Sequence, residues 1–172
     1  TLLVVAGTKS WFLRHMDVKN AFLHGNLEEK IYMCQPPGFE DEKHPEIVCK
    51  FKKVLYGLKQ APRAWHKKLA ESLIKIVFKM SKVDPSLYVK KMNDCIVVIL
   101  IYVDDLIIGG DSMVEISKLK KNLEMQFHMK DLGELKYFLG IEIIRSENGI
   151  YMLQKQYATT VSKMWNAWMQ TD

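Results

Sequence analysis

A chain of 172 residues, 48% of them hydrophobic, is long enough to bury one substantial core and too apolar to stay disordered. Its formal net charge of +5 is unevenly spread: residues 50–91 carry twelve basic side chains against Glu71 and Asp84 alone, so the remainder is net acidic and a polyanion is a suitable partner, although a solvated lysine-rich face would carry the same charge. The longest apolar run, Cys95 to Val103, is about half of what a bilayer crossing needs, which excludes a membrane span, and Cys34, Cys49 and Cys95 form neither a Cys-x-x-Cys pair nor a zinc-finger spacing.

The three cysteines are expected as reduced, partly buried thiols. The chain opens at Thr1 with neither an initiator methionine nor a signal peptide, so the expectation is a piece of a longer intracellular polypeptide. Leu2 to Gly7 begins a short helix, and Trp11 to Val18 reads as a strand with Asp17 near its end. A turn around His24, Gly25 and Asn26 leads to a short strand, Lys30 to Cys34, which Gln35-Pro36-Pro37-Gly38 closes. Val48 to Leu55 is expected as a further strand. From Ala61, Trp65, Leu69, Leu73 and Ile76 or Val77 recur at steps of three or four, the pattern of an amphipathic helix starting near Pro62.

Ser86 to Lys90 reads as a strand, and the β-branched run Cys95 to Val103 leads through Asp104-Asp105 into Leu106 to Ile108 and Gly109-Gly110. This spacing predicts a hairpin with two carboxylates at its tip. Ser112 to Phe127 places Ile116, Leu119, Leu123 and Phe127 on one helical side and Lys118, Lys120 and Lys121 on the other. Tyr137 to Ile144 and Ile150 to Leu153 are predicted strands joined at Glu147-Asn148-Gly149, and a last helix runs from Gln156 toward Trp165. With no repeats or linkers, these elements make one α+β unit, an antiparallel sheet with helices packed on one face.

Two aspartates directly after nine apolar residues put two negative charges beside a buried strand, where desolvation and repulsion are costly without a compensating cation. Mg²⁺ suits such a site because it takes oxygen ligands and needs only one or two carboxylates beside substrate phosphates. Asp17 is the candidate third acid. Two such ions, roughly 3.5–4 Å apart, can activate an attacking hydroxyl and stabilise a leaving pyrophosphate, which is nucleotidyl transfer. An isolated Asp-Asp is also a common turn element, so the pair alone does not decide.

The context does more. Tyr102-Val103-Asp104-Asp105 in an apolar hairpin matches the reverse transcriptase signature. Met16-Asp17-Val18-Lys19-Asn20-Ala21-Phe22-Leu23-His24-Gly25, Ile31-Tyr32-Met33, Gln35-Pro36-Pro37-Gly38-Phe39, the block from Leu55 to Trp65, Met129-Lys130-Asp131-Leu132-Gly133 and Phe138-Leu139-Gly140-Ile141 resemble copia-type LTR retrotransposon polymerases in order and spacing. The resemblance runs to about residue 160; residues 161–172 diverge, so the expected division is 1–160 as a polymerase palm with partial fingers and 161–172 as a tail.

That resemblance implies an RNA-directed DNA polymerase fragment of a Pol polyprotein. Its implied catalytic acids are Asp17, Asp104 and Asp105, with the Val18 carbonyl as a further ligand to two Mg²⁺ ions, for which Mn²⁺ could substitute. Phe22 would exclude a ribose 2′-hydroxyl; Gln60, Arg63 and Lys130 would meet the incoming nucleotide, Lys130 as proton donor to pyrophosphate. Tyr102, Lys59, Leu139 and Gly140 would meet primer or template. The implied partners are an RNA template, a DNA primer and dNTPs, together with the fingers, thumb, ribonuclease H and integrase segments that this stretch lacks. The implied setting is a cytoplasmic virus-like particle or the nucleus. Without those segments, synthesis by the chain alone is expected to be weak or undetectable. Two rival readings remain: a catalytically inactive nucleic-acid-binding remnant, and a phosphorelay receiver, which also pairs aspartates with Mg²⁺ but requires a strict βα alternation that this chain does not have. A residue-17 carboxylate more than roughly 10 Å from the hairpin tip would contradict the polymerase reading.

Overall fold

The computed structural model describes residues 2–27 and 29–169. Its centre is a six-stranded, wholly antiparallel sheet ordered β4-β5-β6-β7-β1-β8, built from β1 (Phe12–Val18), β4 (Lys79–Met80), β5 (Leu87–Lys91), β6 (Ile96–Tyr102), β7 (Asp105–Gly110) and β8 (Met129–Glu134). Strands β5, β6 and β7 follow one another as a meander, and β1 inserts between β7 and β8. The unbroken apolar run of β6 has a physical cause, since both faces of the sheet are covered.

One face carries the two long helices. Helix α2 (Ala61–Lys75) buries Ala61, Trp65, Leu69 and Leu73 at strict four-residue steps, and α3 (Met113–Phe127) buries Ile116, Leu119, Leu123 and Phe127. These side chains share a core with Met16, Val18, Val97, Ile99, Ile101, Leu106 and Ile108 of the sheet. Pro62 in the first turn of α2 removes an amide that would have lacked a helical partner, and the Ser112 side chain caps α3 by accepting from the Glu115 amide at 3.4 Å. Each fully buried Leu or Ile contributes about 1.5–3 kcal/mol, so this layer is the main source of stability.

The opposite face packs Leu13, Val98 and Ile107 against α1 (Leu2–Thr8) and a small sheet of β9 (Tyr137–Phe138), β10 (Ile141–Ser146) and β11 (Gly149–Leu153). Helix α4 (Lys155–Trp168) follows and runs without a break across residue 160. Gly110 is demanded by proximity: a Cβ there would sit inside contact distance of the Ile96 carbonyl oxygen, so β7 approaches β6 this closely only with glycine.

Several expectations change. The predicted strands at 30–34 and 48–55 shrink to the two-residue pair β2 (Tyr32–Met33) and β3 (Cys49–Lys50), because nothing covers either face and Tyr32, Met33, Ile47 and Val48 stay exposed. The predicted strand 137–144 breaks at Leu139 and Gly140, which take φ of 52° and 77° and form the two-residue loop between Phe138 and Ile141. β4 and β8 have no apolar alternation and are recruited by their neighbours in the sheet. Cys34 and Cys49 are exposed rather than partly buried, and Cys95 alone is half-buried; all three are free thiols. No described helix is long and apolar enough to cross a membrane.

Candidate active site

The site lies at the end of the sheet where β1 finishes and the β6–β7 hairpin turns. Asp17 is the register partner of Asp105, and directly opposed residues of an antiparallel pair have Cα atoms about 4.5–5.5 Å apart. The two acids therefore stand side by side, well within the span a shared metal site requires. The pairing follows from burial: Met16 and Val18 point into the helical core on one side and Leu13 into the opposite core, so a slip of one residue would turn Asp17 into the apolar layer.

Asp105 begins β7 opposite Tyr102, which leaves Val103 and Asp104 as the two-residue tip of the hairpin. The tip is fixed by two donors. The Val18 amide donates to the Asp104 carbonyl at 3.0 Å, and the Trp65 indole N–H donates to the Val103 carbonyl at 2.7 Å. Val103 takes φ of 56°, at the loop position where glycine is the usual residue. On the Asp17 side of β1, His15 lies two residues back, and its Nε2–H donates to Asp105 Oδ1 at 2.8 Å, a diagonal cross-strand contact.

Asp104 also lines an open cavity of about 280 Å³ with Val18, Asn20, Ala21, Phe22, Leu55 and Tyr56. The buried Phe22 is part of its lining and its ring packs 5.4 Å from the Tyr56 ring. Phe22 belongs to a single 3-10 turn, Ala21–His24, that leaves β1 after Asn20 adopts a left-handed φ of 52°. That reversal folds Phe22 back beside the carboxylates instead of carrying it away along the strand.

Other expected site residues gather around this centre. Lys130 on β8 is the register partner of Asp17 on its other side. Next to it, Asp131 pairs with Lys120 and accepts from the Gly133 amide at 2.9 Å. Burial opposes ionisation of Asp131, but these two contacts prevail and hold its carboxyl below the usual range. Tyr102 packs edge-on against Phe138 at 5.9 Å, which joins the hairpin tip to the strand that leads into Leu139 and Gly140.

Gln60 and Arg63 fall elsewhere. They line a separate cavity of about 240 Å³ with Asn26, Glu29, Lys67 and Glu71, where Gln60 Nε2 donates to Glu29 Oε2 at 3.3 Å. Lys59 is exposed just before α2. Two residues beside the acids had gone unmarked in the sequence. His15 could have been found by strand alternation, because it shares the face of Asp17; Tyr56 carried no signal separable from the rest of its block.

A divalent cation is compatible with this donor set in kind. Asp17, Asp104 and Asp105 offer only oxygen, as Mg²⁺ prefers, yet no group of three or more His, Cys, Asp or Glu side chains converges as a metal cage among the described residues. Such an ion usually keeps several waters and takes its remaining ligands from substrate phosphates, so two carboxylates on adjacent strands suffice as its protein share.

Comparison with known proteins points the same way. The family described as reverse transcriptase (RNA-dependent DNA polymerase) matches residues 1–169. The chain is 47% identical over 156 residues to the retrovirus-related Pol polyprotein from transposon RE1 of Arabidopsis thaliana, with 91% of this chain and 11% of that protein covered. It is 40% identical over 169 residues to the Pol polyprotein from transposon TNT 1-94 of Nicotiana tabacum, covering 96% of this chain and 13% of that one. A putative transposon Ty5-1 protein of Saccharomyces cerevisiae is 39% identical over 141 residues, 82% of this chain and 46% of that protein. The chain thus spans roughly a tenth of the Arabidopsis and tobacco polyproteins it matches.

Proposed function

The chain belongs to the reverse transcriptase (RNA-dependent DNA polymerase) family, and we propose that it is the palm, with part of the fingers, of a retrotransposon Pol polymerase that adds dNTPs to a DNA primer on an RNA or DNA template. The observation that carries this reading is the pairing of Asp17 with Asp105 beside a two-residue tip bearing Asp104. When bound, two Mg²⁺ ions would activate the primer hydroxyl and stabilise the leaving pyrophosphate. Asp17 and Asp104 would hold them, with Asp105 and the Val18 carbonyl completing the set.

The other roles follow from position. The cavity shared by Asp104 and Phe22 would take the sugar and triphosphate of the incoming nucleotide, with the Phe22 ring closing the space a 2′-hydroxyl needs. Lys130, one strand from Asp17, would give a proton to the departing pyrophosphate. Tyr102, Leu139 and Gly140 would seat the primer end. Gln60, at the start of α2, would meet the incoming nucleotide or template, while Lys59 just before the helix and Arg63 in its first turn would meet phosphates, contacts that are indifferent to sequence and weaken with salt. Further fingers, thumb and ribonuclease H segments of a Pol polyprotein would complete the enzyme, in a cytoplasmic particle or the nucleus.

The test is single-nucleotide incorporation on a DNA-primed RNA template with protein in excess over primer. Weak Mg²⁺-dependent extension that vanishes in Asp17→Asn is expected, and Phe22→Ala should admit ribonucleotides. Robust synthesis by the chain alone would refute the dependence on fingers, thumb and ribonuclease H segments. Nucleic-acid binding with neither extension nor any divalent-cation binding would instead favour an inactive remnant.

A further inference from the structure

Val103 is an anomaly. β-Branched residues rarely adopt positive φ, and holding one there costs on the order of 1–3 kcal/mol, so such a conformation persists only where the surroundings enforce it. Val103 does so at φ of 56°, between Tyr102 and Asp104, while its own side chain is 40% exposed and too little packed to hold the turn. The enforcement must come through the backbone. The Val18 amide fixes the carbonyl on the Asp104 side; the Trp65 indole fixes the carbonyl of Val103 itself.

Trp65 is built as a rigid donor. It is 0% exposed, stands one turn into α2, packs edge-on against Phe127 of α3 at 5.3 Å and lies tilted against the His24 ring at 5.7 Å. Gly25 lets the end of the 3-10 turn close onto it, since a Cβ there would come within 3.1 Å of the Trp65 amide nitrogen and of Ala64 Cβ. Two elements, α3 and the 3-10 turn, thus pack against the ring, and its one polar atom meets the strained residue.

We propose that Trp65 is a positioning residue, whose indole N–H holds the Val103 carbonyl and thereby sets the left-handed turn that presents Asp104 beside Asp17. This rests on the polymerase reading for its purpose, but not for its observable. A tryptophan buried only for packing would need some acceptor for its N–H, and that need would be met equally with Val103 relaxed. The two roles therefore differ in what happens to Val103 when the donor is removed.

The experiment uses the whole chain, labelled with ¹⁵N and ¹³C. Val103 Cα and Cβ chemical shifts report its φ, and free Mn²⁺ measured by electron paramagnetic resonance reports cation affinity. In Trp65→Phe, Val103 is expected to leave its left-handed shifts while β6 and β7 residues keep theirs, and Mn²⁺ dissociation constants should rise about three- to tenfold, the range corresponding to one net hydrogen bond. Replacing Trp65 by benzothienylalanine, which keeps the ring shape and lacks the N–H, should reproduce both effects if the phenylalanine variant fails to fold. Unchanged Val103 shifts in a folded variant would overturn the proposal. A wild-type chain that binds no Mn²⁺ would count against the polymerase reading, and the Val103 shifts would still decide the role of Trp65.

Discussion

The β1–β6–β7 ladder and the segment 26–60 belong to one chain yet are held by different means. In the ladder, Met16, Ile99, Leu106 and Ile108 are sealed from solvent and each strand's register is dictated by what its two faces must bury. In 26–60, Val54 is the one residue fully removed from water among those described, the strands are two residues long, and a single side chain does much of the organising. Gln35 Nε2 donates to the His44 and Ile47 carbonyls at 2.9 and 3.0 Å, while its Oε1 accepts from the Asp41 amide. The carboxylates of the proposed site stand on the ladder, where burial fixes their register, whereas segment 26–60 is tethered by local hydrogen bonds.

The widest gap between the two regions should be functional. Asp17→Asn is expected to reduce metal-dependent incorporation by about 10²–10³-fold, the scale of losing one preorganised charge partner, whereas Gln60→Ala in the separate cavity should cost less than about tenfold. Next comes stability. Leu106→Ala should lose about 3–4 kcal/mol in chemical denaturation, while Tyr32→Ala should stay within about 0.5 kcal/mol; comparable losses at both would erase the distinction. Gln35→Ala should leave the global midpoint in place and speed hydrogen exchange at the Asp41 amide, through local opening that costs roughly 1 kcal/mol less.

The smallest effect concerns pH and the joint between the regions. Burial pushes the His24 imidazolium down from the ordinary histidine value, with repulsion from His128 and Lys53 adding to it and a backbone hydrogen bond with Phe127 opposing. The unfolded chain takes up this proton at the ordinary value, about 6.5, and the folded chain only below it. His24 therefore favours folding above that value, and its contribution is lost as pH falls toward the depressed folded value. Thermal melts between pH 7.5 and 5.5 should show a steeper loss for the wild type than for His24→Gln, and parallel losses would refute the assignment.

What was legible in the residues follows the same divide. The four-residue spacing of Trp65, Leu69 and Leu73, and the apolar run ending at Asp104-Asp105, determined α2 and the hairpin because burial imposes their periods. Asp17 was assigned as the third acid through family likeness and the end of its strand. The strands at 30–34 and 48–55 were over-extended because β-favouring residues were counted without anything to cover them. β8, carrying Lys130, was invisible to alternation, since its polar residues are held by β1 and not by a core. Leu139 at φ of 52° could not be read either, because the tight Phe138–Ile141 pairing imposes that value. The family resemblance groups Gln60 and Arg63 with Phe22 at the nucleotide, and the fold places those two in another cavity.

Adding Mn²⁺ to the ¹⁵N-labelled chain and recording which amide signals broaden would weigh the central claim most directly. Broadening should centre on Asp17, Val18, Asp104 and Asp105, reach Phe22 and Lys130, spare Gln35 and Gln60, and disappear in Asp17→Asn. Broadening centred elsewhere, or left intact by that substitution, would contradict a shared metal site at the meeting of β1 with the β6–β7 tip.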